Sequence, residues 1–168
     1  MRFPPYTYVP GGPWPHPKSN PQGHAYHTPE FPVPPIDPER WQDSDTYQEA
    51  NQLFDAGYYW EAHEAWERLW HAANRTGPVA KMLKALIKLA AAGVKIRELR
   101  PAGASTHADR AQRLFEELKH ETGPTYLGQE LECLIAFAER TKISPALLSS
   151  STTSQNVFVV FDIVLNRF

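Results

Sequence analysis

Residues 58–74 read YYWEAHEAWERLWHAAN, and this stretch decides how the chain folds. Its large apolar side chains recur every three to four residues, which is the spacing of one face of an α-helix. The face consists of Tyr59, Ala62, Trp66, Leu69 and Trp70. A helix that is apolar along one side needs partners on which to bury that side, so the stretch predicts a helix within a bundle.

Further helices are predicted on both sides of this one. Asp45 with Gln48, and Thr106 with Asp109, resemble the residue pairs that cap helix N-termini, and Pro101 is expected to end a helix. The predicted helices span about 45–56, 58–74, 76–100, 106–122 and 127–141. Short turns between helices favour antiparallel neighbours. We therefore expect an all-α fold, a compact antiparallel bundle of about five helices.

The N-terminal region differs from the rest, because residues 1–38 carry twelve of the sixteen prolines. Proline fixes φ and lacks the amide donor, so this region is predicted to be an extended arm. It holds more large apolar rings than a freely solvated linker would. These rings are Phe3, Tyr6, Tyr8, Trp14, Tyr26 and Phe31. We expect the arm to pack on the helical body; docking on another protein is the alternative.

The C-terminal region is also predicted to be non-helical. Residues 149–154 are Ser and Thr and indicate a loop, and residues 156–168 are rich in Val, Phe and Ile, which favours an extended segment. This segment either packs across the bundle or pairs with the arm. The predicted organisation is an arm at 1–40, a helical domain at 41–145 and a tail at 146–168.

Composition sets limits on location and partners. The net charge of −2 gives the whole chain no electrostatic attraction for nucleic acid, and no segment has the roughly 20 apolar residues of a membrane span. The N-terminus lacks the apolar stretch of a signal peptide. Cys133 is the only cysteine, lies in an apolar run and is expected to be buried, which favours a cytoplasmic location.

The polar side of the 58–74 helix carries a candidate metal site. His63, Glu67 and His71 follow one another at i, i+4 and i+8, with Glu64 beside them and Glu61 further round. An imidazole and a carboxylate one turn apart can both bind one divalent cation. The zinc-protease pattern, His-Glu-x-x-His, is absent because Glu67 occupies its fifth position.

Any metal site on this helix would need a ligand from elsewhere, and the arm histidines His16, His24 and His27 are candidates if the arm folds back. Two other interpretations stay open. The ridge could be an ordinary set of boundary hydrogen bonds and ion pairs, or it could line a polar ligand pocket.

Four lysines, Lys81, Lys84, Lys88 and Lys95, fall within a narrow arc of the 76–100 helix. Such a stripe can bind phosphate groups. It is more often the solvated face of an amphipathic helix, or a set of lysines that pair with Glu61, Glu64 and Glu67. Nucleic-acid binding lacks the support of a recognised motif or of interleaved aromatic residues.

Three segments carry a resemblance to a known family. Residues 53–70 resemble the opening motif of the bacterial and archaeal domain of unknown function 309 family, roughly Phe-x-x-Gly-x-Tyr-x-Glu-Ala-His-Glu-x-x-Glu-x-x-Trp. Residues 83–92 are similar to its second motif, and 103–104 with 108–114 to its third. The resemblance covers about 45–142 and implies a fold of a few antiparallel helices, without an activity.

The resemblance also implies which polar residues matter. Carried onto this chain, the polar positions of the opening motif are Glu61, His63, Glu64 and Glu67. The second motif of the family usually carries Gln where this chain has Lys84 and Lys88. That departure puts a pocket built from those amides in doubt and favours a local Glu–Lys network.

Three functions remain open at this point. The leading hypothesis is a non-catalytic ligand- or protein-binding module that self-associates, because no complete catalytic signature is present. The second is a metal-dependent hydrolase in which His63, Glu64 and Glu67 hold a divalent metal. The third is phosphate or nucleic-acid binding through the lysine stripe.

Overall fold

Five α-helices and one short hairpin form the regular structure of residues 3–148 and 156–165, which this computed structural model describes. The elements are α1 (Asp45–Asp55), α2 (Tyr59–Ala72), α3 (Gly77–Arg97), α4 (Pro101–Thr122), β1 (Thr125–Tyr126), β2 (Gln129–Glu130) and α5 (Leu131–Ile143). A 3₁₀ turn at Pro38–Asp43 precedes α1. Over these ranges, no helix has the length and apolar character needed to cross a membrane.

The middle of the fold is α3, which packs against α2 on one side and α4 on the other. The outer helices are α1, which packs on α2, and α5, which packs on α4. The apolar face predicted for α2 lies in the core, except that Trp70 is only partly buried. The mostly helical, compact fold predicted from the sequence is therefore confirmed.

The N-terminus of α1 is capped by Ser44, whose Oγ accepts a hydrogen bond from the Tyr47 amide at 3.4 Å. The predicted cap, Asp45, is wrong by one residue and lies in the first turn of the helix. Gly57 follows α1 with φ at 87°, a conformation that glycine adopts without strain. This residue turns the chain into α2.

The junction between α3 and α4 corrects two predictions. Pro101 begins α4 instead of ending the preceding helix, since a helix does not use the amide of its first residue. The chain reverses at Leu99, whose φ is 59°, and the Arg100 amide donates to the Lys95 carbonyl at 2.9 Å. Thr106, predicted as a cap, lies within α4, where its hydroxyl donates to the Ala102 carbonyl at 3.0 Å.

The last helix also begins later than predicted, because residues 125–130 form an antiparallel hairpin. Its turn residues, Leu127 and Gly128, have φ values of 45° and 76°. Two-residue hairpin turns favour positive φ at both positions. A Cβ on Gly128 would lie 2.4 Å from the Trp41 ring, so the hairpin packs closely on the 3₁₀ turn.

Cys133 is exposed, so its predicted burial is wrong. It lies on the outer side of α5, where its thiol donates to a Glu130 carboxylate oxygen at 3.2 Å. The inner side of this helix presents Leu131, Leu134 and Ala138 to the core. Helical spacing places residue 133 away from that side.

The tail at 156–165 is extended without forming a strand, and it packs across the bundle. Phe161 is buried against the rings of Phe54, Tyr59 and Phe137. The Val160 amide donates to the Tyr59 hydroxyl at 2.9 Å. The predicted Ser/Thr loop at 149–154 and the last residues, 166–168, lie outside the described residues.

Candidate functional site

The polar residues of α2 divide between two sides of the helix. Glu61 and Glu64 contact the N-terminal arm, which packs along α2. On the other side, His63 and Glu67 border α3, which carries the lysine stripe. Residues 61 to 67 cover almost two turns of helix, so their side chains reach two different neighbours.

Glu61 fastens the arm to α2 and is almost completely buried. One carboxylate oxygen accepts a hydrogen bond from the Thr7 hydroxyl at 2.6 Å, and the other accepts from the Tyr8 amide at 3.0 Å. His24 lies beside it, with Nε2 3.4 Å from the same second oxygen. Buried carboxylates need such partners. Glu61 is therefore fully engaged in holding the arm.

Glu64 also binds the arm, through Lys18, whose ammonium lies 2.5 Å from Glu64 and 2.6 Å from Glu30. On its other side, His63 Nδ1 lies 3.8 Å from the second oxygen of Glu64, beyond hydrogen-bond distance. The His63 ring, together with Lys18, lowers the pKa of Glu64 to about 2, although burial acts in the opposite direction. The Glu64 carboxylate is consequently ionised at neutral pH.

The arm histidines are engaged within the arm or at its contact with α2. Nδ1 of His16 accepts from the Lys18 amide at 3.2 Å, while its ring packs against Trp60. His24 contacts Glu61, as described above, and His27 is exposed. The arm does fold back, but it does not bring these histidines to His63 and Glu67.

A cluster of potential metal ligands consists of His63, Glu64 and Glu67, which we call the cation cluster. One ligand atom from each residue lies within 4.8 Å of the other two, and all three side chains are partly buried. Nδ1 of His63 is buried without a hydrogen-bond partner among the described residues. Glu67 likewise has neither a hydrogen bond nor an ion pair over the described ranges. The cluster thus contains uncommitted ligand atoms.

His71, predicted to share the site, does not lie in this cluster. Its Nδ1 accepts a hydrogen bond from Arg75 Nε at 3.1 Å, at the exposed end of α2. The rise of an α-helix is about 1.5 Å per residue, so positions i and i+8 are about 12 Å apart along the axis. That separation is too large for two ligands of one cation.

The lysine stripe of α3 is divided by its ion pairs. Lys81 pairs with Glu117 and Glu121 of α4, and Lys95 pairs with Glu98 at 2.5 Å. Lys84 and Lys88 form no ion pair with any described residue. The expected network between Glu61, Glu64 or Glu67 and these lysines is therefore not formed in the structure.

Two functional candidates on α4 escaped the sequence analysis, His107 and Arg110. Burial lowers the pKa of His107, and the charge of Lys88 lowers it further. Burial also lowers the pKa of Lys88, and the charges of Arg110 and Lys84 lower it further. The Glu67 carboxylate raises this pKa, but by less. The sequence alone could have indicated that Arg110 and His107 are neighbours, because they lie one turn apart on a helix. Their relation to α3 required the tertiary structure.

The arm also covers a cavity of about 330 Å³ above α2. Glu61, Glu64, Trp60 and Lys18 are among the residues that line it. Most of its charged groups already pair with one another, as the contacts of Glu61 and Glu64 show. The cation cluster, on the opposite side of Glu64, offers more uncommitted groups.

Comparison with known families identifies the central helices. Residues 47–106 match the model of a family described as Domain of unknown function (DUF309). The match supports the family resemblance over this segment. Neither a curated protein nor a solved structure shows significant similarity to the chain.

The matched segment runs from α1 into the first turns of α4. It includes the whole cation cluster together with Lys84 and Lys88. The match excludes the arm, the tail and most of α4. The excluded part of α4 contains His107 and Arg110. The confirmed match is thus shorter than the resemblance at 45–142 suggested, and it ends within the third motif.

Proposed function

We propose that this chain is a non-catalytic ligand-binding module in which His63, Glu64 and Glu67 hold a divalent cation. The observation that carries the proposal is the convergence of their three ligand atoms, which lie within 4.8 Å of one another. Two ligand atoms that are each about 2.1 Å from one ion are at most about 4.2 Å apart. Small side-chain rotations would therefore bring the three ligand atoms from their present separation of up to 4.8 Å to metal-binding distance. One imidazole and two carboxylates suit zinc or manganese.

The charges around the cluster support cation binding. Glu64 is ionised, because its pKa lies at about 2. A cation would also bind the buried Nδ1 of His63, which lacks a hydrogen-bond partner among the described residues. A buried polar atom without a partner costs free energy, and a metal ion would remove that cost. Three protein ligands leave a coordination position for a further ligand.

The hydrolase alternative has less support. A metal-bound water needs a general base within hydrogen-bond reach, and that base cannot also be a metal ligand. The remaining carboxylate of the motif is Glu61, which is buried and bound to Thr7 and Tyr8 of the arm. We therefore prefer binding to hydrolysis for this site.

Titration of the metal-free chain with zinc and manganese in a calorimeter tests the proposal. We expect one cation per chain, and we expect His63→Ala and Glu67→Gln each to weaken binding at least about tenfold. Even the loss of a residue that only orients a ligand costs about 10–100-fold in metal affinity. Bound metal should also raise the unfolding temperature, because it binds only the native chain.

His71→Ala is the matched control, since His71 lies on the same helix but bonds to Arg75. Its cation affinity should equal that of the unmodified chain. Absence of saturable binding, or equal loss in His71→Ala and His63→Ala, would contradict the proposed site.

Self-association, a protein partner for the arm and a cytoplasmic location stay predictions. Exposed apolar side chains support self-association; they include Ile143, Leu147, Val159 and Val164. Contacts among exposed apolar groups commonly drive assembly. Light scattering on the purified chain measures its mass in solution; a mass of one chain at all concentrations would contradict self-association.

A further inference from the structure

The unpaired lysines of α3 face a cationic part of α4. Lys81 pairs with Glu117, 3.2 Å away, and with Glu121, near the C-terminal end of α4. Near the other end, Lys95 packs on Gly103, where an added Cβ would lie 3.1 Å from the lysine Cδ. These two contacts fix the antiparallel register of the helices. Midway between them, Lys88 lies level with Arg110.

Positive charge in this region exceeds the negative charge. Lys84, Lys88 and Arg110 form no ion pair with any residue that the structure describes. Glu67 of α2 is the carboxylate that attracts Lys88, but its oxygens lie beyond the 4.0 Å of an ion pair. Lys88 is partly buried, whereas Lys84 and Arg110 are exposed. Like charges close to a partly buried cation disfavour its charged form. A structural role for Lys88 therefore does not explain the arrangement.

A partly buried histidine of α4, His107, adds an imidazole ring beside these cationic groups. It lies one helical turn before Arg110, and its Nδ1 is buried without a hydrogen-bond partner among the described residues. The α3–α4 register set by the Lys81 pairs and by the contact of Lys95 with Gly103 brings Lys88 near this turn of α4. Ammonium, guanidinium and imidazole N–H groups are the usual donors to oxyanions, and the planar guanidinium binds two oxygens at once.

We propose that Lys84, Lys88, His107 and Arg110 form a binding site for a small phosphate-type oxyanion on the surface between α3 and α4. The site goes beyond the cation cluster, because it lies on other helices and binds its ligand without a metal. Lys81 and Lys95 are not part of it, since their charges are neutralised by glutamates. Its negative border is Glu67, which is itself a member of the cation cluster.

The test is binding of inorganic phosphate to the full chain at low ionic strength, measured by calorimetry in the presence of a chelator. We expect saturable binding that Lys88→Met and Arg110→Gln each weaken about tenfold, the usual effect of losing one charge-assisted hydrogen bond. Lys81→Met removes an equal charge from the same helix and should leave phosphate affinity unchanged. Because chelator removes divalent cations, failure of the cation cluster would not affect the result.

Three outcomes would overturn the proposal: no saturable phosphate binding, equal weakening by Lys81→Met and Lys88→Met, or binding of a single-stranded oligonucleotide without binding of phosphate.

Thermal unfolding supplies an independent measurement. Lys88→Met should raise the unfolding temperature, because it removes an unpaired charge from a partly buried position. A lower unfolding temperature would show that Lys88 has a stabilising partner, and would count against the site.

Discussion

Glu64 divides its two carboxylate oxygens between the arm and the cation cluster. One oxygen binds Lys18 at 2.5 Å, and the other lies 3.8 Å from His63 Nδ1. Protonation of this single group would therefore weaken the arm contact and remove one metal ligand together. Residues with a strongly lowered pKa contribute stability only while they remain ionised.

We expect Glu64 to make stability fall in acid. Its pKa is lowered from 4.5 to about 2, so its contribution is complete above about pH 4.5 and is lost as the pH falls through about 2. One pKa unit corresponds to about 1.4 kcal/mol, which sets an upper limit of about 3.5 kcal/mol. Solvent screening of this partly exposed carboxylate makes the contribution smaller. Thermal unfolding across this pH range should show a shallower acid decline for Glu64→Gln than for the unmodified chain.

Glu139→Gln provides the control, because Glu139 is an exposed carboxylate on α5 without an ion pair among the described residues. Its pH profile should match that of the unmodified chain. Parallel profiles for Glu64→Gln and the unmodified chain would show that Glu64 contributes nothing to the acid decline.

At the scale of elements, the site depends on how closely α2 and α3 approach each other. Gly93 of α3 contacts the ring of Tyr59, the first residue of α2. A Cβ at this position would lie 2.7 Å from Tyr59 Cγ. The close approach sets the position of His63, one turn further along α2, relative to Lys88.

Gly93→Ala should destabilise the fold by about 1–3 kcal/mol, because overpacking in a filled core costs that much. Alanine favours a helix over glycine by about 1 kcal/mol, so a propensity argument predicts the opposite sign. Denaturant unfolding measures the difference. Gly103→Ala in α4 is the control, since its Cβ meets only the flexible chain of Lys95. A stabilising Gly93→Ala would contradict the close approach.

At the scale of the whole molecule, the tail joins helices that are far apart in sequence. The ring of Phe161 lies 5.6 Å from that of Phe54 and 5.1 Å from those of Tyr59 and Phe137. It thus connects α1, α2 and α5. The tail completes the core where the three helices alone would expose apolar rings to water.

Phe161→Ala should cost about 3–5 kcal/mol of unfolding free energy, the usual loss on deleting a buried aromatic ring. Denaturant titration measures it, and the control is Val159→Ala, at an exposed position of the same tail. Similar unfolding midpoints for the two variants would show that the tail does not close the core.

The sequence determined most of the local structure. The apolar spacing of residues 58–74 predicted α2 and its buried face, because a period near 3.6 residues arises from the backbone alone. Element boundaries were less accurate around Pro101 and residues 125–130. Proline can either end or begin a helix, and a two-residue turn leaves a weak local signal.

The candidate site was only partly visible in the sequence, which indicated His63, Glu64 and Glu67 as neighbours on one turn. Only the tertiary structure showed that the N-terminal arm forms hydrogen bonds with the Glu61 carboxylate. It alone also showed that Glu117 and Glu121 pair with Lys81, and that Arg110 lies level with Lys88. The physical reason is range. Helical spacing fixes neighbours within about two turns, whereas ion pairs between helices depend on the register that core packing selects.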